Sequence, residues 1–366
     1  MKLHLYFARK FAVSLLAVLA AFAMIVLMLD VVEQVRRFEI GTVTFTQLFG
    51  LSLLNTPEAL YGILPLIVML ATLTLYLRLA RSSELVVTRA SGRSALQSLL
   101  APITTALLAG GLAVAVFNPL VAATGKIYEE RLETYRSGTS SALSITVEGL
   151  WLRQSSANGQ TVIRAPRANQ DGTVLFDVTF ITFSAQDGPV SRIEAARAEL
   201  GDGAWALTNA KQWDLAPETR NPERTATRHD TLSLPSDLTR ERIRDSFGSP
   251  DAVPIWALPA FINDLEAAGF SARRHKVWFH MELALPLMFV AMVLLAAVFT
   301  MRHTRFGRTG PMVLMAFGLG LGLFFLRDFA QVMGENGQIP PELAAWSPPL
   351  VAMLLAVGLL LHLEDG

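Results

Sequence analysis

FAVSLLAVLAAFAMIVLML, Phe11–Leu29, is 19 residues without a charge. A helix of that length rises about 29 Å. That matches the roughly 30 Å hydrocarbon core of a bilayer. The run therefore reads as a membrane span, and the chain repeats the signal. Ala59–Leu77, Ser94–Gly125, Leu283–Met301, Thr309–Leu326 and Leu343–Leu361 are also uncharged. Three spans stand at each end of the chain. The basic residues before Phe11 resemble a signal peptide. The run is longer than a signal core and no A-x-A site follows, so we read it as an uncleaved first span.

The bulk composition agrees. Only 17% of residues are charged and mean hydropathy is +0.41, against about 25% charged in soluble domains. Net charge is zero, so nothing points to nucleic acid. With no cysteine, the chain forms no disulfide, whichever compartment it faces.

Lys and Arg near span ends mark the cytoplasmic side. Lys2, Arg9, Lys10, Arg78, Arg81, Arg89, Arg93, Arg302, Arg305 and Arg308 fall on one side. Arg36, Arg37 and Arg327 fall on the other. Ten against three places both termini in the cytoplasm and the large middle segment outside it. The expected layout is spans one to three in 1–125, an outer domain in 126–277 and spans four to six in 278–366.

The middle segment alternates. LSITVEGLWLR (143–153), QTVIRAPRA (160–168), TVLFDVTFITF (173–183), PVSRIEAARAEL (189–200) and AWALTNAKQWDL (204–215) read as strands between Gly-, Asn- and Asp-containing turns. An antiparallel sandwich, a jelly roll or an open half-barrel is expected. Val174, Phe176, Val178 and Phe180 line either a core or an apolar groove, the core being the simpler reading. PIWALPAFINDLEAAGF (254–270) reads as a short helix ending at Gly269.

Catalytic signatures are missing. GxxxxGK[ST], HExxH and GxSxG do not occur. HME (280–282) has no partner cluster, so no metal site is assigned. GLGLG (318–322) lies inside span five, where Gly318 and Gly322 read as a helix-packing pair. Glu58 and Glu282 lie near span ends, within reach of lipid headgroups.

The loop between spans two and three, RSSELVVTRASG (81–92), is unusual. Ser82 or Ser83 can cap a helix, Glu84 suits its first turn, Leu85, Val86 and Ala90 give an apolar face, and Gly92 suits the stop. A helix this short needs a surface to dock on. Lipid headgroups are one such surface and a cytoplasmic protein is another. Glu84 favours the protein, because the inner leaflet is anionic.

SSELVVTRASG (82–92) closely resembles the cytoplasmic coupling-helix segment of the LptF/LptG permeases of lipopolysaccharide export. The order of parts is also similar, over essentially the whole chain: three spans, a β-rich periplasmic domain, three spans. VEQVRRF (32–38), GLWLR (149–153) and GQIPPELAAWSPPL (337–350) look more like the LptG branch than LptF.

The resemblance implies an α-helical membrane protein of six spans with an inserted, all-β, jelly-roll-like periplasmic domain, in the bacterial inner membrane. It implies a non-catalytic transporter subunit with no cofactor of its own. An LptB-like ATPase dimer would bind ATP and Mg²⁺ and receive Ser83, Glu84, Leu85, Val86, Arg89, Ala90, Ser91 and Gly92. An LptF-like paralogue would complete the transmembrane unit. Lipopolysaccharide would pass to LptC-like and LptA-like proteins. Arg36, Arg37, Lys126, Arg131 and Arg136 are candidates for its phosphates, or ordinary interfacial anchors. Asp30, Glu33 and Glu58 dilute that basic rim, a departure from the family pattern. Spans one and five are the expected gate walls. The competing readings are a permease for another lipid or lipoprotein, an anchor whose β-domain binds a partner, and, weakest, a membrane enzyme.

Overall fold

The computed structural model describes residues 2–38, 43–84, 87, 95–137, 145–146, 149–156, 159–169, 173–184, 188–201, 203–215, 221–236, 238, 249–267, 271–300 and 309–365. Two compact units emerge. The first comprises 1–138, 251–258 and 273–366, and the second comprises 139–250 and 259–272.

The first unit is helical. Its elements are α1 (Lys2–Arg37), α2 (Phe45–Arg81), α3 (Ala95–Leu112) continuing through a π-helical turn (Ala113–Phe117) into α4 (Asn118–Ser137), α6 (Arg273–Thr300), α7 (Thr309–Glu335) and α8 (Pro341–Asp365). Among the described residues, six helical spans are long and apolar enough to cross a membrane. Several outrun the apolar stretches read from sequence. α1 has 36 residues, about 54 Å of helix, so its ends reach beyond the hydrocarbon core.

Prolines explain much of the local geometry of span three. A proline inside a helix leaves the carbonyl four residues earlier without its N–H partner. In a membrane that carbonyl must find another donor. Pro119 frees the Ala115 carbonyl, which accepts the Trp256 indole N–H at 3.2 Å. The π-helical turn lies at this point. Asn118 beside it accepts the Ile255 backbone N–H at 2.9 Å. Pro102 frees the Ser98 carbonyl, which accepts a long bond from the buried Tyr76 hydroxyl at 3.5 Å.

α6 is the hub and packs on α2, α3, α7 and α8. Close approach depends on missing side chains. A Cβ on Gly110 would lie 2.5 Å from Pro286 Cα, and one on Gly320 would lie 2.0 Å from Met69 Sδ. A Cβ on either glycine of the expected packing pair, Gly318 and Gly322, would meet nothing within 4 Å among the described residues. The close contact of this glycine run is therefore one residue row over, at Gly320.

The second unit carries one antiparallel sheet: β1 (Ile145–Thr146), β2 (Gly149–Ser156), β3 (Gly159–Ala165), β4 (Arg167–Ala168), β5 (Val174–Ser184), β6 (Gly188–Gly201), β7 (Ala204–Asp214) and β8 (Thr227–Pro235). The strands lie side by side in chain order, with β4 on β5. Of the three architectures expected, the open curved sheet fits this order. β8 has no clear apolar alternation and is not foreseen by pattern. The helix expected at 254–270 appears as α5 (Leu258–Ala267), and Gly269 lies outside the described residues.

The sheet bends along a line of irregular residues. Asp177 and Asn209 have φ of 54° and 53°, and pairing skips both. Asp and Asn tolerate this left-handed conformation best among residues with a side chain. The shift turns Leu175 and Val178 to the same face, as it does Leu207 and Ala210. Val178 and Phe180 are fully buried, while Val174 and Phe176 are half-buried. Phe180 packs edge-on against Trp205 at 6.1 Å. Gln154 of β2 accepts from the Trp205 indole of β7 at 3.3 Å and from the Ser236 hydroxyl at 2.8 Å, and donates to the Pro235 carbonyl at 3.2 Å. Early and late strands therefore meet across a filled interior.

Candidate functional site

The loop after α2 contains a turn built as its sequence leads one to expect. α2 ends at Arg81 with Ser82 as its C-cap. Ser83 has φ of 58° and reverses the chain. Its carbonyl accepts the Val87 N–H at 3.1 Å, which closes one new helical turn. Ser83, rather than Ser82, therefore precedes this turn, with Glu84 at its first position. Leu85, Val86, Arg89, Ala90, Ser91 and Gly92 lie outside the described residues. Val87, not among the expected contacts, presents an exposed apolar side chain beside them.

Glu84 is held by its own chain. The Lys10 ammonium donates to its two oxygens at 2.8 and 2.9 Å. The Tyr6 hydroxyl donates at 2.9 Å and the Ser82 hydroxyl at 3.0 Å. Lys10 also sits 4.5 Å above the Tyr6 ring, a cation–π contact. Tyr6 and Lys10 are one turn apart on α1, so both face the same point. The Lys10 bond, followed by those of Tyr6 and Ser82, holds the Glu84 carboxyl below the usual glutamate range. Lys10 entered the sequence argument only as one basic residue among ten. A pairing so distant along the chain has no local signal.

A second polar cluster ties the opposite end of α1. Buried Gln34 donates to the Tyr128 hydroxyl of α4 at 2.9 Å and to Asp30 at 3.4 Å. Asn55 of α2 donates to Asp30 at 2.7 Å. Phe38 packs edge-on to Tyr135 of α4 at 6.5 Å. These contacts bring the basic candidates to one end of two neighbouring helices. Arg36 is exposed in the last turn of α1, and Lys126 and Arg131 are exposed on α4. Arg131 reaches towards Gly50 of α2. Arg37 donates to Glu33 at 3.0 Å. Arg136 lies on α4, its side chain outside the described residues. Of the acids that dilute the rim in sequence, Asp30 accepts from Gln34 and Asn55, while Glu33 pairs with Arg37 one turn along α1.

Glu282 departs from its expected role. It is 1% exposed and accepts a hydrogen bond from Tyr61, so it does not reach the headgroups. It joins α6 to α2 inside the bundle. Glu58 is exposed, but α2 begins at Phe45, so Glu58 lies well inside the helix rather than at its end.

With this arrangement in view, comparison with known proteins decides the family. The model described as lipopolysaccharide export system permease LptF/LptG matches residues 5–362. The chain belongs to the LptF/LptG family. It is 25% identical over 316 residues to the lipopolysaccharide export system permease protein LptG of Escherichia coli (strain K12), covering 85% of this chain and 84% of that protein. It is 23% identical over 342 residues to the LptG of Haemophilus influenzae, covering 91% of each. An LptF/LptG permease is a multi-pass protein of the inner membrane, and the six apolar helices with an inserted antiparallel sheet fit that description.

Proposed function

We propose that this chain is the transmembrane subunit of an ABC transporter that extracts lipopolysaccharide from the inner membrane, driven by a separate ATPase. The observation that carries the reading is the turn at Ser83–Val87. An idle loop has no reason to reverse at a strained serine and present a helix start with an acid in its first turn. An ATPase subunit offering an Arg beside a hydrophobic notch would take Glu84 and its apolar neighbours. Orientation follows from the distribution of basic residues: termini and coupling segment in the cytoplasm, β-domain in the periplasm.

The subunit works without catalysis of its own. An LptB-like dimer hydrolyses ATP and moves the coupling segment. This chain and an LptF-like partner close around the lipid, whose phosphates meet Arg36, Lys126, Arg131 and their neighbours at the outer edge. The acyl chains need an apolar route, since each CH₂ left in water costs about 0.8 kcal/mol. The β-domain offers one toward LptC-like and LptA-like acceptors. Its interior is filled by Phe180 and Trp205, so passage through it requires the seam at Gln154 to part.

The test is co-purification from native membranes, wild type beside Glu84→Arg, with proteins and lipids identified by mass spectrometry. The expected result is an ATPase, a six-span partner and lipopolysaccharide with wild type, and loss of the ATPase with Glu84→Arg. Absence of any ATPase with wild type would overturn the reading and favour a membrane anchor.

A further inference from the structure

α1 buries few of its side chains fully. Near its start it buries Phe7, Phe11 and Ser14, and near its end it buries Gln34. Between these points Leu16, Met24, Ile25 and Met28 are all more than half exposed. Polar ties concentrate at the two ends. At the first, Tyr6 and Lys10 grip Glu84. At the second, Asp30 and Gln34 grip Asn55 and Tyr128.

Only Ser82 and Ser83 separate Glu84 from the end of α2. The segment that would receive the ATPase stroke is thus joined to the bundle in two ways, by the backbone into α2 and by one carboxylate onto α1. The backbone link alone moves α2, which is packed against α6. α1 lies along α2 through half-buried side chains such as Val18, Phe22 and Val26, with few fully buried ones to key it there. The carboxylate link is exposed enough to break and re-form, and it is made of donors from a single helical turn.

We propose that Lys10 and Tyr6 are positioning residues that transmit displacement of the coupling segment to α1, so that the stroke reaches the lipid-facing helix. The proposal rests on the transporter reading above. In it, Glu84 has two roles, facing α1 on one side and contributing to the ATPase dock on the other. Loss of Lys10 leaves the dock and uncouples the helix.

The test uses the whole purified complex in nanodiscs loaded with lipopolysaccharide. Four quantities are followed: ATPase co-purification, ATP hydrolysis, lipid released per ATP, and thermal unfolding. For Lys10→Met we expect retained ATPase and unfolding temperature, hydrolysis within about twofold, and lipid release per ATP lowered roughly fivefold or more, the scale of ordinary inter-site coupling. Tyr6→Phe shifts release per ATP in the same direction by less. Lys10→Arg, which keeps the charged donor, restores it. Should Lys10→Met not accumulate, Tyr6→Phe alone carries the test, since it removes one hydroxyl. Wild-type release per ATP in both variants would overturn the proposal. So would a fall in release that merely follows lost ATPase binding or a lowered unfolding temperature. Wild type without any ATPase overturns the transporter reading itself, and the proposal with it.

Discussion

α1 and α6 are both apolar enough to span a membrane, and α1 is the more apolar of the two. Yet 78% of the most apolar stretch of α6 is buried inside the bundle, against 6% for α1. The difference shows what apolarity does not decide. Lipid tails are as apolar as Leu, so a greasy surface is equally at home against lipid or protein. What buries α6 is close approach. Its Pro286 fits against Gly110, its Val277 against Gly334, and its Met292 lies beside Met69 where α7 passes at Gly320. α1 lies along α2 by half-buried side chains and is fastened at its ends by polar groups. α6 is framework and α1 is an arm.

The hardest way to break the comparison is to put a side chain where α6 needs none. Gly110→Leu would drive its first carbon to 2.5 Å from a backbone atom of Pro286, which cannot swing aside. We expect a loss of about 3 kcal/mol or more, read as lost folded yield or a large drop in unfolding temperature in detergent. Leu16→Ala on α1, where the side chain is 63% exposed, should stay within about 0.5 kcal/mol. Equal effects at the two sites would erase the distinction between framework and arm.

Next in size is the bond between α2 and α6. Tyr61→Phe removes the hydroxyl that donates to buried Glu282. Leaving that carboxyl short of a donor should cost about 1–3 kcal/mol. Adding Glu282→Leu should recover part of the loss, because an apolar pair needs no donor. A double variant no more stable than Tyr61→Phe would show that the Asn118 side chain, which also hydrogen-bonds this carboxyl, satisfies the acid without Tyr61.

How these helices divide their work is only half legible in the sequence. The spans, their number and the inserted strands follow from runs and alternation, because those signals are local. The helix start in the loop after α2 is also local: the sequence leaves Ser82 and Ser83 open as its beginning, and the turn closes on the Ser83 carbonyl. Partner choice is not local. Nothing near Glu84 announces Lys10, and nothing near Glu282 announces Tyr61, since these pairs meet only after the bundle forms. The bend of the sheet hides for another reason. Asp177 and Asn209 read as ordinary outward polar residues, yet each shifts the alternation by one and re-aims the strand beyond it. Gly318 and Gly322 are a different case, because spacing marks a stripe but not which helix, of this chain or a partner, occupies it.

Smaller effects are expected at the ends of α1. Gln34→Leu removes the bonds to Tyr128 and Asp30 but replaces a buried amide, whose oxygen has no partner among the described residues, with an isostere that needs none. Global stability should therefore change by less than about 1 kcal/mol. Amide exchange in the last turns of α1 should nevertheless quicken, as local opening is set by local ties. Unchanged exchange there would mean that Phe38 and the backbone, rather than the polar cluster, hold this end.

The smallest effect tests the other end by pH. The Glu84 carboxyl sits below its ordinary value of 4.5 because of Lys10, Tyr6 and Ser82. A group depressed by folding contributes its stability above its unfolded pKa and loses it as pH falls through the folded one. The tie between α1 and the turn after α2 should thus be fully present at neutral pH and fade only below about pH 4.5. A partly exposed pair is worth about 0.2–1 kcal/mol, too little to register against the whole bundle. It should appear locally, as faster amide exchange at Val87, whose N–H closes the turn. In Lys10→Met the turn should exchange at the faster rate already at neutral pH, with little further change on acidification. If instead both proteins show the same pH response, acid is acting on some other group, and the grip on Glu84 is not what holds the arm.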